Sequence, residues 1–477
     1  PATSQAHAQP IKPAKPKTKA RAEPNTTTQT KLATCKLTRA SVSNRSSWRT
    51  MDMATALVLI LLMASSSCSV PCLALAKDAT SSSGSQQQQW KPRQQVKEQP
   101  LVIGYSHNPK GDKVLRAIGH GVNVICWSFF YLDVDDQDPP KPIIRTDLDL
   151  SAIKAVRDAA GKDHVLHMAA IGGWNGPHPP PGFSGAQWAQ TFVDFNKQNG
   201  YIFDGLDWDL EGHDDRTAPT SAFSLNTLDV MADMSKALKD QHGYIVSMAP
   251  AESYLDVLAP DHQFSLDLNL FPRWWEKPDR QALQAENFSH AGRQCYAYVL
   301  HRAGTNSFDW VALQLYESFS RFAYETIVVA ERDGENKISA QMDAMRRRAV
   351  AAFDGFDVEL PKYGKVRIQV PPWKLVFGFA NGWADGIKVV KVERRALNRL
   401  FVRLKTAGVM FWTIDEEGNS GLYLAKEVNE AIERSKIDWH DLNDDVLPDD
   451  ENEVHDDDEL AYLCASQPAP LPRGEDG

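Results

Sequence analysis

Between residues 101 and 414 the chain alternates eight short apolar runs with amphipathic stretches, and this alternation constrains the fold most. The runs are LVIGY (101–105), VNVICWSFF (122–130), HVLHMAAIGG (164–173), FDGLDWDLE (203–211), YIVSMAP (244–250), WVALQLY (310–316), KLVFGFA (374–380) and GVMFWTI (408–414). Most are nearly continuous in apolar residues, the mark of strands buried on both faces in a parallel sheet. Helical periodicity falls between them, at 149–161, 186–200, 224–243, 338–353, 393–408 and 421–436. Several of these stretches end in Gly, as helices commonly do. Eight strands alternating with helices predict a (β/α)8 TIM barrel over about 335 residues. The alternative is a doubly wound open sheet, but no Gly-rich phosphate fingerprint follows the first run.

The flanks differ in composition. Residues 1–50 hold ten Lys or Arg and one acid, Glu23, with no apolar period, and are expected to be disordered. Residues 51–76 combine the apolar run ATALVLILLMA with Ala74-Leu75-Ala76, a signal-peptide pattern too short for a membrane span. Translation is expected to begin at Met51 or Met53, with a basic targeting leader as the alternative, and the product to be secreted. Residues 77–99 read as a polar linker, 100–436 as the catalytic domain. Residues 437–477 read as an acidic disordered tail, since 438–459 carry twelve acids and no Lys or Arg. A net charge of −10 argues against nucleic acid as the partner. Cys126, Cys295 and Cys464 are too scattered for a disulfide framework or a metal site, and Asn287-Phe288-Ser289 is a glycosylation acceptor in a secreted chain.

The fourth run contains four acids within eight positions: Asp204, Asp207, Asp209 and Glu211. In a strand, residues two apart share a face. Asp207, Asp209 and Glu211 therefore project into the barrel and climb toward its C-terminal mouth, where the active sites of such barrels lie. Leu206, Trp208 and Leu210 face the helices. Asp204 has the opposite parity and reads as structural. Three carboxylates in one file cannot all ionise cheaply, so at least one is held protonated, as a general acid must be.

The stretch DGLDWDLE matches the DGxDxDxE signature of glycoside hydrolase family 18, the chitinase family, which the chain resembles over roughly residues 100–436. Ala170-Ile171-Gly172-Gly173 resembles the family's SxGG motif on the third barrel strand. Ser247-Met248-Ala249-Pro250, Gln314-Leu315-Tyr316 and Phe411-Trp412-Thr413-Ile414 resemble the motifs of the fifth, sixth and eighth. The resemblance implies a chitinase that uses the substrate's own acetamide as nucleophile. Glu211 would be the acid, Asp209 the acetamide-orienting group, Asp207 its proton-sharing neighbour, and Tyr316 a donor to the acetamide oxygen. Trp412 would form the floor of subsite −1, with Tyr105, Gly172, Gly173, Met248, Gln314 and Glu317 around the pocket. Trp174, Trp274 and Trp275 are candidate stacking platforms. No metal or organic cofactor is implied. The expected partner is chitin or another N-acetylglucosamine glycan, and the expected state a monomer.

Two positions depart from the family pattern. Ala170 stands where the family has a serine, which should leave Asp207 with one donor fewer, and Glu317 stands where Asn or Asp is usual. About 30 residues separate the seventh and eighth runs, too few for the insertion domain of some members, so an open cleft and endo-type cleavage are expected. The rival readings are a non-catalytic chitinase-like lectin, an endo-β-N-acetylglucosaminidase or peptidoglycan hydrolase of the same family, and a tail that binds cations or basic proteins.

Overall fold

The structure is a computed structural model. It describes residues 100–435 except 111, 136, 162–164, 213–222, 260, 270–290, 318–319, 381–391, 393, 400–403, 405 and 420–422. The expected leader, signal peptide, linker and tail fall outside the described residues, as do Trp274, Trp275, Asn287 and Cys464.

Among the described residues, thirteen strands form in chain order. They are β1 Leu101–Ser106, β2 Val124–Val134, β3 Pro142–Thr146, β4 Leu166–Gly173, β5 Gly205–Leu210, β6 Ile245–Met248, β7 Ser265–Asn269, β8 Ala291–Arg293, β9 Trp310–Gln314, β10 Phe356–Leu360, β11 Gly364–Ile368, β12 Leu375–Ala380 and β13 Gly408–Trp412. Eight of them, β1, β2, β4, β5, β6, β9, β12 and β13, pair in parallel in that order. The ring closes because β1 pairs with both neighbours, Leu101 opposite Gly408 on β13 and Ile103 opposite Val124 on β2. The fold is therefore a closed (β/α)8 barrel rather than an open sheet. All eight strands begin within the apolar runs; β1 extends one residue past its run and β2 four, to Val134. The remaining strands make antiparallel additions: β3 on β2, β7 with β8, and β10 with β11. Their short, partly polar sequences carry no long apolar run, so sequence pattern did not predict them.

Side-chain alternation divides the core into two shells. Leu101, Ile103, Val124, Met168, Trp310, Val376 and Met410 fill the barrel, whereas Val102, Trp127, Leu206, Trp208, Leu313, Phe377 and Phe411 pack under the helices. The helices are α1 Asp112–Gly119, α2 Leu150–Ala160, α3 Gly185–Gln198, α4 Leu225–His242, α5 Cys295–Ala303, α6 across residues 321–333, α7 Lys337–Asp354, α8 Arg394–Arg399 and α9 Leu424–Ser435. Their ends follow local chemistry. Ser184 and Gln187 form a reciprocal capping box at α3, and Asn336 caps α7. Gly243 ends α4 at φ 70°, a conformation that glycine adopts without a Cβ clash. Helix α5 went unpredicted because CYAYVLHRA is apolar on nearly every side, and seven of its nine residues are buried.

Outside the barrel, one buried charge ties the shell to the loop after β6. Arg348 of α7 is fully buried; its Nε lies 2.6 Å from Glu252 Oε1 and its Nη1 2.9 Å from Glu325 Oε2. The second Glu252 oxygen accepts from the Phe322 amide at 2.8 Å. Arg321 grips Asp256 in the same loop, Nη2 to Oδ2 at 2.6 Å. Removing one partner from such a pair leaves a charge buried without compensation. Arg348→Leu should lower unfolding stability by about 3–5 kcal/mol, whereas Arg348→Leu combined with Glu252→Gln should cost less than the single change. Urea titrations of the three chains check this; equal losses would show that the pair is not coupled.

Candidate active site

The C-terminal ends of the eight parallel strands converge on one mouth, and β5 brings its acids there. Asp207, Asp209 and Glu211 are all buried, while Trp208 on the opposite face donates its indole N–H to Ser235 Oγ of α4 at 2.8 Å. That bond and the packing of Leu206 and Leu210 fix which face of β5 looks inward. Asp204, just before β5, lies at the other end of the barrel. It takes a bidentate grip from Arg157, at 2.7 and 2.8 Å, and accepts the His167 amide at 2.9 Å. It braces β5 against β4 and α2 and takes no part in the mouth.

Each inward acid has its own surroundings. Asp207 accepts the Tyr105 hydroxyl on Oδ2 at 2.5 Å and the Ser247 hydroxyl on Oδ1 at 2.6 Å. Burial raises its pKa to about 6, against the pull of those two donors. Asp209 accepts Gln314 Nε2 on Oδ1 at 2.6 Å, and the same amide group also donates to Ala249 O at 2.7 Å. Its carboxyl is pushed well above the usual range, first by burial and then by the charges of Glu211, Asp207 and Glu317. Glu211 is raised to about 8 by burial, and its Oε2 has no hydrogen-bond partner among the described residues. At neutral pH Glu211 is therefore a protonated acid at the mouth, with a rank of carboxyls behind it.

Three side chains that sequence reasoning missed hold the backbone on either side of Glu211. The Tyr296 hydroxyl donates to Leu210 O at 2.8 Å, and the Gly212 amide donates to the Tyr254 hydroxyl at 2.8 Å. His178 Nε2 lies 2.6 Å from the Glu211 carbonyl oxygen; the carbonyl can only accept, so Nε2 carries the hydrogen. Tyr254 sits on the loop anchored through Glu252 and Asp256, and Tyr296 on α5. Nothing in the sequence pattern pointed to either, since one lies in an irregular segment and the other in a helix without a polar face.

The remaining predicted residues distribute as follows. Tyr316 is buried just beyond β9. Its phenol is held far above its ordinary pKa by burial and by Glu317, Asp209 and Glu211, so it stays an O–H donor. Glu317 is also buried and adds to the negative field on Asp209. Trp412 ends β13, its ring 5.7 Å from Phe129 and nearly parallel to it, with Tyr105 at 5.9 Å. Phe129, on β2, is a second aromatic plate that sequence reasoning passed over. Trp174 lies 42% exposed at the end of β4. Gly172 and Gly173 contribute by lacking a Cβ: one on Gly172 would lie 2.6 Å from Asp209 O, and one on Gly173 would run into the Phe129 ring.

Two expectations are corrected. Met248 does not line the pocket. It is paired in register with Trp208 and shares its outward direction, so it packs in the helix-facing shell. The reason is parity: Ser247 and Ala249 are the inward residues of this stretch. Nor does Ala170 leave Asp207 short of a donor, because Ser247 supplies one from β6. Cys126 and Cys295 are buried free thiols. Among the described residues no group of three or more His, Cys, Asp or Glu is arranged to hold a metal ion, and no helix is long and apolar enough to cross a membrane.

The raised pKa of Glu211 has a consequence for stability. The unfolded chain ionises this group near the ordinary value of about 4.3, the folded chain near about 8. The contribution of the neutral carboxyl is full below the unfolded value and is lost as pH rises toward about 8. Glu211→Gln removes that loss. The variant should melt above the parent by a margin that grows between pH 4 and pH 8, worth on the order of 1–3 kcal/mol at the upper end. Melting curves at several pH values check this; a margin independent of pH would contradict it.

Comparison with family profiles finds no match, and neither does comparison with curated proteins. Among solved structures, the chain is similar to the Legionella pneumophila ChiA C-terminal domain, at 15% identity and TM-score 0.43, covering 70% of this chain and 98% of that one. It is similar to a GH18 chitinase from Pseudoalteromonas aurantia, at 15% identity and TM-score 0.39, covering 70% and 99%. It is also similar to the xylanase and α-amylase inhibitor protein XAIP-II from Scadoxus multiflorus, at 12% identity and TM-score 0.38, covering 70% and 99%.

Proposed function

We propose that the chain is a chitinase that hydrolyses β-1,4 bonds between N-acetylglucosamine units with retention of configuration, acting outside the cell. The observation that carries this is the state of Glu211: buried at the barrel mouth, protonated at neutral pH, and backed on the same strand face by Asp209 and Asp207. Bound in subsite −1, the sugar would place its glycosidic oxygen against the Glu211 O–H. As that proton moves to the leaving oxygen, the bond to the anomeric carbon breaks. The acetamide carbonyl oxygen attacks the same carbon and an oxazolinium ion forms. Glu211, now a carboxylate, then takes a proton from the water that opens the ring, which restores the acid.

The other groups have matching tasks. Asp209, with Oδ1 occupied by Gln314, has Oδ2 to orient the acetamide N–H and balance the positive charge. Tyr316 donates to the acetamide oxygen. Trp412 and Phe129 offer apolar faces to the C–H side of the ring. The short stretch of chain between β12 and β13, too short for an insertion domain, supports an open cleft and endo cleavage. The second reading, a family relative that cleaves N-glycans or peptidoglycan, has its support in Glu317, whose carboxylate in the pocket would favour a substrate offering it an additional donor.

The test is hydrolysis of the N-acetylglucosamine tetramer by the full chain beside its Glu211→Gln variant. The parent should cleave it and the variant should lose about 10²–10⁴-fold or more in kcat. Binding by both without cleavage would point to a lectin; neither binding nor cleavage would point to the second reading. On long chitin the early products should include chains longer than the disaccharide, seen by mass spectrometry. Disaccharide alone from the first minutes would exclude endo action.

A further inference from the structure

Glu211 stands one residue beyond its strand. The pairing of β5 with β6 ends at Trp208 and that with β4 at Leu210, so strand register does not reach the acid. Side chains hold the two peptides that flank it. The peptide before Glu211 gives its carbonyl, that of Leu210, to the Tyr296 hydroxyl at 2.8 Å. The peptide after it is gripped at both edges. Its carbonyl oxygen lies 2.6 Å from His178 Nε2, and its N–H, that of Gly212, donates to the Tyr254 hydroxyl at 2.8 Å. A peptide unit is planar, so these two planes fix φ and ψ of Glu211 and with them the direction of its side chain. One ring supports all three. Buried Phe223 lies 4.7 Å from His178, 5.2 Å from Tyr254 and 6.3 Å from Tyr296, centroid to centroid. Gly292 backs Phe223 so closely that a Cβ there would lie 2.5 Å from its ring. His178 itself is presented by the segment WNGPHPPPG (174–182), with Pro177 before it and Pro179, Pro180 and Pro181 after. Proline fixes φ and narrows the choices of the residue before it, so His178 has little backbone freedom to lose.

We propose that His178 is a positioning residue for the acid: through the hydrogen on Nε2 it sets the peptide plane after Glu211, and so the line along which the carboxyl meets the glycosidic oxygen. This rests on the hydrolase reading above, in which Glu211 is the acid. The tautomer is part of the assignment. With hydrogen on Nδ1 alone, the Nε2 lone pair would face the carbonyl oxygen at 2.6 Å, acceptor against acceptor, and the clamp would open. The two tyrosines do not duplicate the contact. Tyr296 bonds an atom of Leu210 and Tyr254 an atom of Gly212, whereas His178 bonds an atom of Glu211 itself. A reacting group moved by about 1 Å loses about 10²-fold in rate. The groups proposed to hold the sugar, Asp209, Tyr316 and Trp412, lie on other residues of the mouth and keep their places when the clamp opens, so the loss falls on kcat and not on KM.

The experiment measures kcat and KM on the N-acetylglucosamine tetramer for the full chain, His178→Leu and His178→Gln, with a melting curve for each. Leucine removes the donor, so kcat should fall by about 10–100-fold with KM within about twofold of the parent. Glutamine can bring an amide nitrogen to the place of Nε2 and should recover at least about a third of the parent's kcat. His178→Leu with the parent's kcat would overturn the inference, as would a glutamine variant that melts like the parent and turns over no faster than the leucine one. If His178→Leu does not fold, His178→Asn, polar but too short to reach the carbonyl, takes its place with the same expectation. Two measurements need no turnover. His178→Leu should speed hydrogen exchange of the Gly212 amide, which shares the clamped plane, by about tenfold or more. Nitrogen-15 NMR of the parent's imidazole at neutral pH should find the hydrogen on Nε2. Both results should stand even if the parent neither binds nor cleaves the tetramer, which would defeat the hydrolase reading alone. Unchanged exchange at Gly212, or an Nε2 without hydrogen, would overturn the role of His178 whatever the activity.

Discussion

The cost of placing carboxyls side by side, away from water, is the constraint on which the rest of this molecule depends. Asp207, Asp209 and Glu211 occupy one face of β5, and that face looks into a closed barrel. Like charges at this spacing in a poorly solvated interior cannot all persist. The chain answers with graded hydrogen bonding. Asp207 has two hydroxyl donors, Asp209 an amide, and Glu211 a carboxyl oxygen without a partner among the described residues. The gradient runs from the barrel floor to its mouth and leaves a protonated carboxyl where a ligand can reach it.

Such a gradient requires rigid supports, and a parallel barrel supplies them. The inward donors come from three other strands of the ring, each in fixed register with its own neighbours: Tyr105 from β1, Ser247 from the adjoining β6, and Gln314 from β9. A slip of one residue in any of these strands would turn the donor out toward the helices. The large outward side chains oppose such a slip, since Trp208, Met248 and Leu313 fill the space beneath the helical layer. Packing outside the barrel and proton chemistry inside it are two faces of the same strands.

Much of this was legible in the sequence. Continuous apolar runs marked all eight barrel strands, because burial on both faces leaves a strong compositional trace. Parity along FDGLDWDLE correctly separated Asp207, Asp209 and Glu211 from Asp204. Other features had no local signature. Met248 was assigned to the pocket from a motif, although the parity of β6 makes Ser247 the inward residue. Ser247 was within reach of the same argument, had the register of β5 against β6 been known. Tyr254, Tyr296 and His178 were out of reach, since they come to Glu211 from residues 33 to 86 positions away in the chain. Long-range contacts of single side chains leave no period to read.

The anchoring of the loop after β6 has a consequence for how this chain can change over time. Tyr254, which accepts the Gly212 amide beside the acid, is two residues from Glu252, and Glu252 is bonded to Arg348 in the middle of an outer helix. The peptide after Glu211 is thus linked through two buried side chains to α7, far from the mouth. The helical layer is consequently not a neutral jacket in which substitutions accumulate without regard to chemistry. A drift in the packing of α7 would be felt as a change in the aim of the acid, so variation that tunes the site can arise at positions that never approach a ligand.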